Sequence, residues 1–87
     1  MKLDPRFLTH ATKGGHYLVA MGDVKFKGIV KNNNTAAFIV ECLKQDVTEK
    51  AIVEKLMEEY PKADPEIVSR DVGNIIGKLR SIGAIVE

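Results

Sequence analysis

The spacing of apolar residues changes at Asn33, and this change constrains the fold more than any other feature. Before Asn33, short segments alternate between apolar and polar residues, which is typical of strands. After it, Ala36, Ile39, Val40 and Leu43 recur at helical spacing. A length of 87 residues suits one domain. The sequence therefore predicts a single α+β domain over residues 1–87, with its strands before its helices.

The N-terminal part predicts an antiparallel sheet. Gly14 and Gly15, and then Gly22 and Asp23, supply the backbone angles that tight hairpin turns require. In the last strand, alternation puts Val30 on one face of the sheet and Ile29 and Lys31 on the other. Three strands are expected, at about residues 6–12, 16–21 and 25–31.

The C-terminal part predicts three helices between about residues 34 and 83, arranged like a winged-helix bundle. Asn34 or Thr35 is expected to cap the first helix, because such side chains accept a bond from a free amide of the first turn. Thr48 is expected to cap the second. Asp64 opens the third, with Pro65 at the first helical position, where no amide bond is lost.

The third helix has an apolar stripe with two different flanks, and Gly83 is its expected end. Gly73 and Gly77 lie on one flank, where they either admit a neighbouring backbone, pack tightly within the domain, or face solvent. The stripe consists of Val68, Val72, Ile75, Ile76 and Leu79, and the flank opposite the glycines carries Asp71, Lys78 and Ile82.

Charge and composition exclude several classes of protein. The net charge of +1 divides into +4 over residues 1–31 and −3 over residues 32–87. No apolar run approaches the roughly 18 residues of a membrane span, and no signal peptide is recognisable. Cys42, the single cysteine, has no partner for an internal disulfide. These features favour a cytoplasmic protein without a membrane partner.

No catalytic or metal-binding motif is recognisable. His10, His16 and Cys42 do not match a usual metal spacing, and surface or packing roles suit them better. Gly14 and Gly15 do not form a phosphate-binding motif. We therefore expect a protein that is not an enzyme and that needs no cofactor or metal.

The order of these helix signals resembles the PqqD family of pyrroloquinoline quinone biosynthesis, a family of peptide-recognition domains. The resemblance covers about residues 16–87. The matching residues are Asn33, Thr35, Ala36 and Ile39 in the first helix, Thr48, Leu56 and Tyr60 in the second, and Asp71, Val72, Ile75, Ile76, Leu79, Gly83, Ala84 and Ile85 at the end.

The resemblance implies a non-catalytic protein that binds the leader of a ribosomally made precursor peptide. Such domains add the leader as an extra strand in a groove between the third strand and the third helix. The partner enzyme implied is a radical S-adenosylmethionine (radical SAM) protein that modifies the peptide. Carried onto this chain, the predicted peptide-binding residues are Lys25, Phe26, Lys27, Ile29, Val30 and Lys31 on the strand, and Val68, Asp71, Val72, Ile75, Lys78, Leu79 and Ile82 on the helix.

The sequence leaves alternatives open for the strand lysines, for Asp71 and for the function of the domain. The strand lysines either attract acidic leader residues or only protect an edge from self-pairing. Asp71 either bonds the peptide or pairs with Arg70, Lys78 or a local amide. A winged-helix nucleic-acid binder is a rival function, although the third helix is neutral overall, with three acidic and three basic residues over 64–82, so nucleic acid is not expected. A homodimer formed through the strand edge is a further alternative.

Overall fold

The computed structural model describes residues 1–21 and 29–87, and within these ranges it contains a sheet, three helices and a short two-stranded ribbon. The strands are β1 (Lys2–Leu3), β2 (Phe7–Thr12), β3 (Gly15–Ala20), β4 (Ile29–Asn32) and β5 (Ile85–Val86). The helices are α1 (Asn34–Cys42), α2 (Glu49–Glu59) and α3 (Pro65–Ser81).

The main sheet is antiparallel, with strand order β2-β3-β4. Thr12 pairs with Gly15, so the hairpin turn contains only two residues, and Gly15 adopts a φ of +137° that side-chain-bearing residues rarely reach. The first two predicted strands are confirmed to within one residue at each end. The predicted third strand is confirmed at Ile29–Lys31, whereas its other members, including Lys25, Phe26 and Lys27, lie outside the described residues.

A second, smaller ribbon joins the two ends of the described chain. β1 and β5 pair antiparallel, with Leu3 opposite Ile85. The amide of Asp4 donates to the Ala84 carbonyl oxygen at 2.7 Å. The sequence predicts Ala84 to Val86 only as an extended tail, because pairing with residues more than 80 positions earlier has no local signal.

The chain turns from β1 into β2 at an ion pair whose carboxylate, from Asp4, is buried and whose guanidinium, from Arg6, is half exposed. Asp4 is 6% exposed, and its carboxylate accepts bonds from the guanidinium of Arg6 at 2.7 Å and from the Arg6 amide at 2.9 Å. These bonds hold the pKa of Asp4 at about 2. The corner is therefore fixed by a carboxylate that stays ionised at neutral pH.

The helix starts follow the predicted caps with one correction. Thr48 and Asp64 cap α2 and α3 as predicted, accepting amide bonds of 3.1 and 2.9 Å. The predicted cap of the first helix, Asn34 or Thr35, is wrong. Asn33 is the cap, and its side-chain oxygen accepts from the Ala36 amide at 2.8 Å. Several adjacent polar residues are able to cap, and the end of β4 at Asn32 determines which one does.

Gly83 ends α3 as predicted. It adopts a φ of +78°. Its amide donates a hydrogen bond to the Arg80 carbonyl oxygen at 3.0 Å, and the Ala84 amide donates one to the Leu79 carbonyl oxygen at 2.9 Å. This pair of bonds is the Schellman arrangement, which satisfies carbonyl groups at a helix end. It turns the chain back toward β5.

The helices cover the sheet and enclose one core. In α3, Val72, Ile76 and Leu79 are at most 4% exposed. Tyr60 directly follows α2, and although the sequence places it on the inner face of that helix, it is 46% exposed. The predicted α+β fold is confirmed. No helix in the described ranges is long and apolar enough to cross a membrane. The buried core consists of Phe7, Leu18, Ile39, Val40, Leu43, Ile52, Leu56, Val72, Ile76, Leu79 and Ala84.

Candidate functional site

A groove of about 390 Å³ lies between β4 and the C-terminal half of α3. We call it the β4–α3 groove. The start of α1 closes it at one end, because Asn33 and Ala36 belong to its lining. The full lining is Val30, Lys31, Asn32, Asn33, Ala36, Ile75, Lys78, Leu79, Ser81 and Ile82.

The strand beside this groove has one side available for pairing. β4 forms its ladder with β3, and no other described strand pairs with it. The outer side of such a strand presents backbone N–H and C=O groups in alternation, which another extended chain can pair with. The groove therefore combines backbone hydrogen-bonding capacity with apolar lining from Val30, Ile75 and Ile82.

The charged residues of the groove are basic. Lys31 and Lys78 are both exposed, and neither has a carboxylate within 4.0 Å among residues 1–21 and 29–87. The Lys31 side chain extends across Gly15, where an added Cβ would lie 3.1 Å from Lys31 Cε. Lys31 and Lys78 thus make the groove attractive to acidic groups.

Six of the thirteen predicted site residues line the groove. Ile29 is not among the lining residues, and its side chain is 66% exposed. Val72 is fully buried, so it supports the groove from within the core. Lys25, Phe26 and Lys27 lie outside the described residues. The six residues that line the groove are Val30, Lys31, Ile75, Lys78, Leu79 and Ile82.

Val68 and Asp71, predicted in the same groove, line a separate hollow beside the N-terminal half of α3. The carboxylate of Asp71 makes no hydrogen bond or ion pair with any described residue, so the expected alternative pairing with Arg70 or Lys78 is not found. Sequence reasoning also missed Asn32, Asn33, Ala36 and Ser81 as lining residues. Asn32 and Asn33 directly follow the predicted edge strand, a position that would have identified them.

The glycines of α3 lie away from the groove. A Cβ added at Gly73 or at Gly77 would meet no atom of residues 1–21 and 29–87 within 4 Å beyond the helix's own neighbouring backbone, so neither glycine serves close packing against another described element. On α3 the groove is instead lined by Ile75, from the apolar stripe, and by Lys78 and Ile82, from the flank opposite the glycines.

The histidines lie together but form no metal site. His10 and His16 line a small hollow of about 190 Å³ with Glu41. No group of three His, Cys, Asp or Glu side chains in the described part of the chain is arranged to hold a metal ion. Cys42 is half-buried against the core, and burial raises the pKa of its thiol, consistent with a packing role.

A three-stranded sheet whose strand β4 has one side available for pairing, beside an amphipathic helix, defines a small α+β domain with a groove along that strand. The model of the family "Coenzyme PQQ synthesis protein D (PqqD)" matches residues 15–85, and the chain belongs to this family. The predicted resemblance is thereby confirmed. The search of curated proteins gives no match.

Two solved structures share the fold. One is described as "Lasso peptide synthetase B1 complexed with the leader peptide"; it is 22% identical, with a TM-score of 0.78, over 99% of this chain and 96% of the other. The second is described as "TbiB1 in Complex with the TbiA(beta) Leader Peptide"; it is 17% identical, with a TM-score of 0.77, over 93% of this chain and 90% of the other.

Proposed function

We propose that the protein binds the leader segment of a ribosomally made precursor peptide and presents the rest of that peptide to a modifying enzyme. The observation that supports this most directly is the β4–α3 groove, which borders a strand edge that no described strand occupies. Family membership agrees with it, and two proteins of the same fold are known in complexes with leader peptides.

Binding uses strand addition. Four residues in β4 offer roughly four outward backbone groups, and each bond contributes about 0.5–1.5 kcal/mol net. One or two apolar peptide side chains against Val30, Ile75 or Ile82 add about 1.5–3 kcal/mol each when fully buried. Ordering the flexible peptide opposes these gains. A Kd near the micromolar range, about −8 kcal/mol, follows.

The charge of the groove selects acidic segments. Lys31 and Lys78 have no carboxylate partner among the described residues, so an acidic leader displaces water and ions only. On α3, in contrast, Arg80 is paired with Glu87 at 2.8 Å, which lowers the positive charge that a nucleic-acid-reading helix would need.

In this scheme the partner enzyme is a radical SAM protein, and residues 1–87 act as one recognition domain in the cytoplasm. The protein itself performs no chemistry in this scheme. It raises the effective concentration of the peptide near the enzyme, because a tethered substrate encounters the active site intramolecularly.

Peptide selection tests this function. The selection uses a phage-displayed library of random peptides of about twelve residues. One such peptide extends to ~40 Å, which matches the 39 Å length of the domain. The best-enriched peptide, synthesised with a fluorophore, is the probe peptide. We expect micromolar binding by fluorescence anisotropy and enrichment of acidic residues. Duplex DNA at low salt serves as the competing ligand, and binding of DNA without binding of peptides would refute the proposal.

A matched pair of variants locates the binding. Ala36 lines the groove, whereas the neighbouring Ala37 lines the hollow with the histidines. Ala36→Leu fills part of the groove and is expected to weaken the probe peptide about tenfold or more, whereas Ala37→Leu leaves its affinity within about twofold. Equal affinities of both variants and the parent protein would show that the peptide binds elsewhere.

A further inference from the structure

A second hollow, of about 320 Å³, opens where α1 begins, α2 ends and α3 begins. We call it the α2–α3 hollow. Its volume lies at the lower end of the range of about 300–1,000 Å³ for small-ligand pockets, so it has room for one large side chain. Its lining is Thr35, Leu56, Tyr60, Ala63, Ile67, Val68 and Asp71.

The wall of this hollow leaves apolar surface in water. Tyr60, which directly follows α2, is 46% exposed, and Ile67, in the first turn of α3, is 49% exposed, whereas Leu56 and Val72 of the same helices are buried. Covering such surface with an apolar group is favourable in proportion to the area removed from water. The hollow therefore favours an apolar occupant.

The α2–α3 hollow and the β4–α3 groove are both lined by residues from the start of α1 and from α3. Thr35 lines the hollow and the next residue, Ala36, lines the groove. Along α3, Val68 lines the hollow and Lys78 lines the groove ten residues later, which is about 15 Å of helix. About four or five residues of extended peptide span this distance.

The two sites differ in charge. Asp71 lines the hollow, and its carboxylate has no partner among the residues the structure describes. Lys78 lines the groove and likewise has no carboxylate within 4.0 Å in the described ranges. An occupant that follows both sites meets a negative group at one end and a positive group at the other.

We propose that the α2–α3 hollow is a second subsite for the same peptide. It takes one large apolar side chain that lies four or five residues from the acidic residues bound near Lys78. Asp71 accepts a hydrogen bond from a basic or amide-bearing residue beside this apolar anchor. This inference rests on the proposed function, because continuity with the groove and the reversal of charge identify the occupant as peptide.

Two exposed apolar residues provide a matched test. Ile67→Ala removes part of the hollow's wall, whereas Leu8→Ala changes a residue of similar exposure, 52%, on β2 outside both sites. We expect Ile67→Ala to weaken the probe peptide about tenfold and Leu8→Ala to change its affinity less than twofold. Ala63→Leu, which fills the hollow, should weaken binding by a similar factor. Thermal unfolding establishes that each variant is folded.

A double-mutant cycle identifies the peptide residue in the hollow. The apolar anchor of the probe peptide is replaced by alanine and combined with Ile67→Ala. If the two side chains touch, the double change weakens binding much less than the product of the two single effects. Independent effects that multiply would overturn the assignment.

The outcomes distinguish the second subsite from the proposed function. If Ala36→Leu weakens binding but Ile67→Ala and Ala63→Leu do not, the second subsite is refuted while the groove remains supported. If no library peptide binds, or if Ala36→Leu binds the probe peptide as tightly as Ala37→Leu does, both proposals fail. A probe peptide that lacks an apolar residue four or five positions from its acidic residues also counts against the subsite.

Discussion

The two flanks of α3 differ more than their sequences suggest. One flank, with Asp71, Lys78 and Ile82, adjoins the α2–α3 hollow and the β4–α3 groove in succession. The opposite flank contains Gly73 and Gly77, and a Cβ added at either glycine would meet no other element of the described part of the chain within 4 Å. Amphipathic periodicity distinguishes a buried stripe from exposed flanks, but only the position of the sheet edge distinguishes one flank from the other.

The largest expected effect lies between the flanks, in the buried stripe. Ile76 is completely buried, so Ile76→Ala should lower the free energy of unfolding by about 2–5 kcal/mol, through lost burial and a cavity. Urea denaturation measures this loss. Ile82→Ala, at a half-buried groove position, should cost clearly less. Equal losses of unfolding free energy in the two variants would mean that the buried stripe contributes no more to stability than the groove flank does.

An intermediate effect is expected on the groove flank. Lys78→Glu reverses a charge beside the groove and should weaken an acidic probe peptide about tenfold, or roughly 1.4 kcal/mol. Arg70→Glu is the control, because Arg70 is exposed on the same helix but lines neither the hollow nor the groove. Anisotropy titrations at two salt concentrations measure both variants, and added salt should narrow the difference. Identical losses of peptide affinity in both variants would mean that the effect comes from the net charge of the protein and not from the position of Lys78.

The smallest effect is expected on the glycine flank, and its sign is opposite. Neither Gly73 nor Gly77 has a positive φ, and a Cβ added at either position has open space among the described residues. Alanine therefore fits both positions. Gly73→Ala and Gly77→Ala should each raise the free energy of unfolding by about 0.4–1 kcal/mol, because alanine restricts the unfolded chain. Peptide affinity should not change. A loss of affinity in either variant would show that this flank also binds a partner.

Much of the local structure could be predicted from sequence. Thr48, Asp64 and Gly83 each mark a helix boundary through bonds to residues two to four positions away, so the signal and its partner lie together in the chain. Asn33 shows the limit of this reasoning. Three polar residues in a row were capable of capping, and the choice depended on where β4 leaves the sheet.

The candidate site was predicted less completely. Six predicted residues line the groove, but Val68 and Asp71 line a second hollow that needs α2 for its wall, through Leu56 and Tyr60. No periodicity within α3 reveals that wall. The pairing of β1 with β5 was missed for the same reason, since it joins opposite ends of the described chain.

The sequence by itself determined the order of strands and helices, most of their boundaries and the apolar stripe of each helix, because these depend on hydrogen bonds and periodicity between near neighbours. Only the tertiary structure decided which flank of α3 meets the available edge of β4 and how the hollow joins the groove. Those features depend on contacts between residues far apart in the chain, whose relative positions are fixed when the helices close over the sheet.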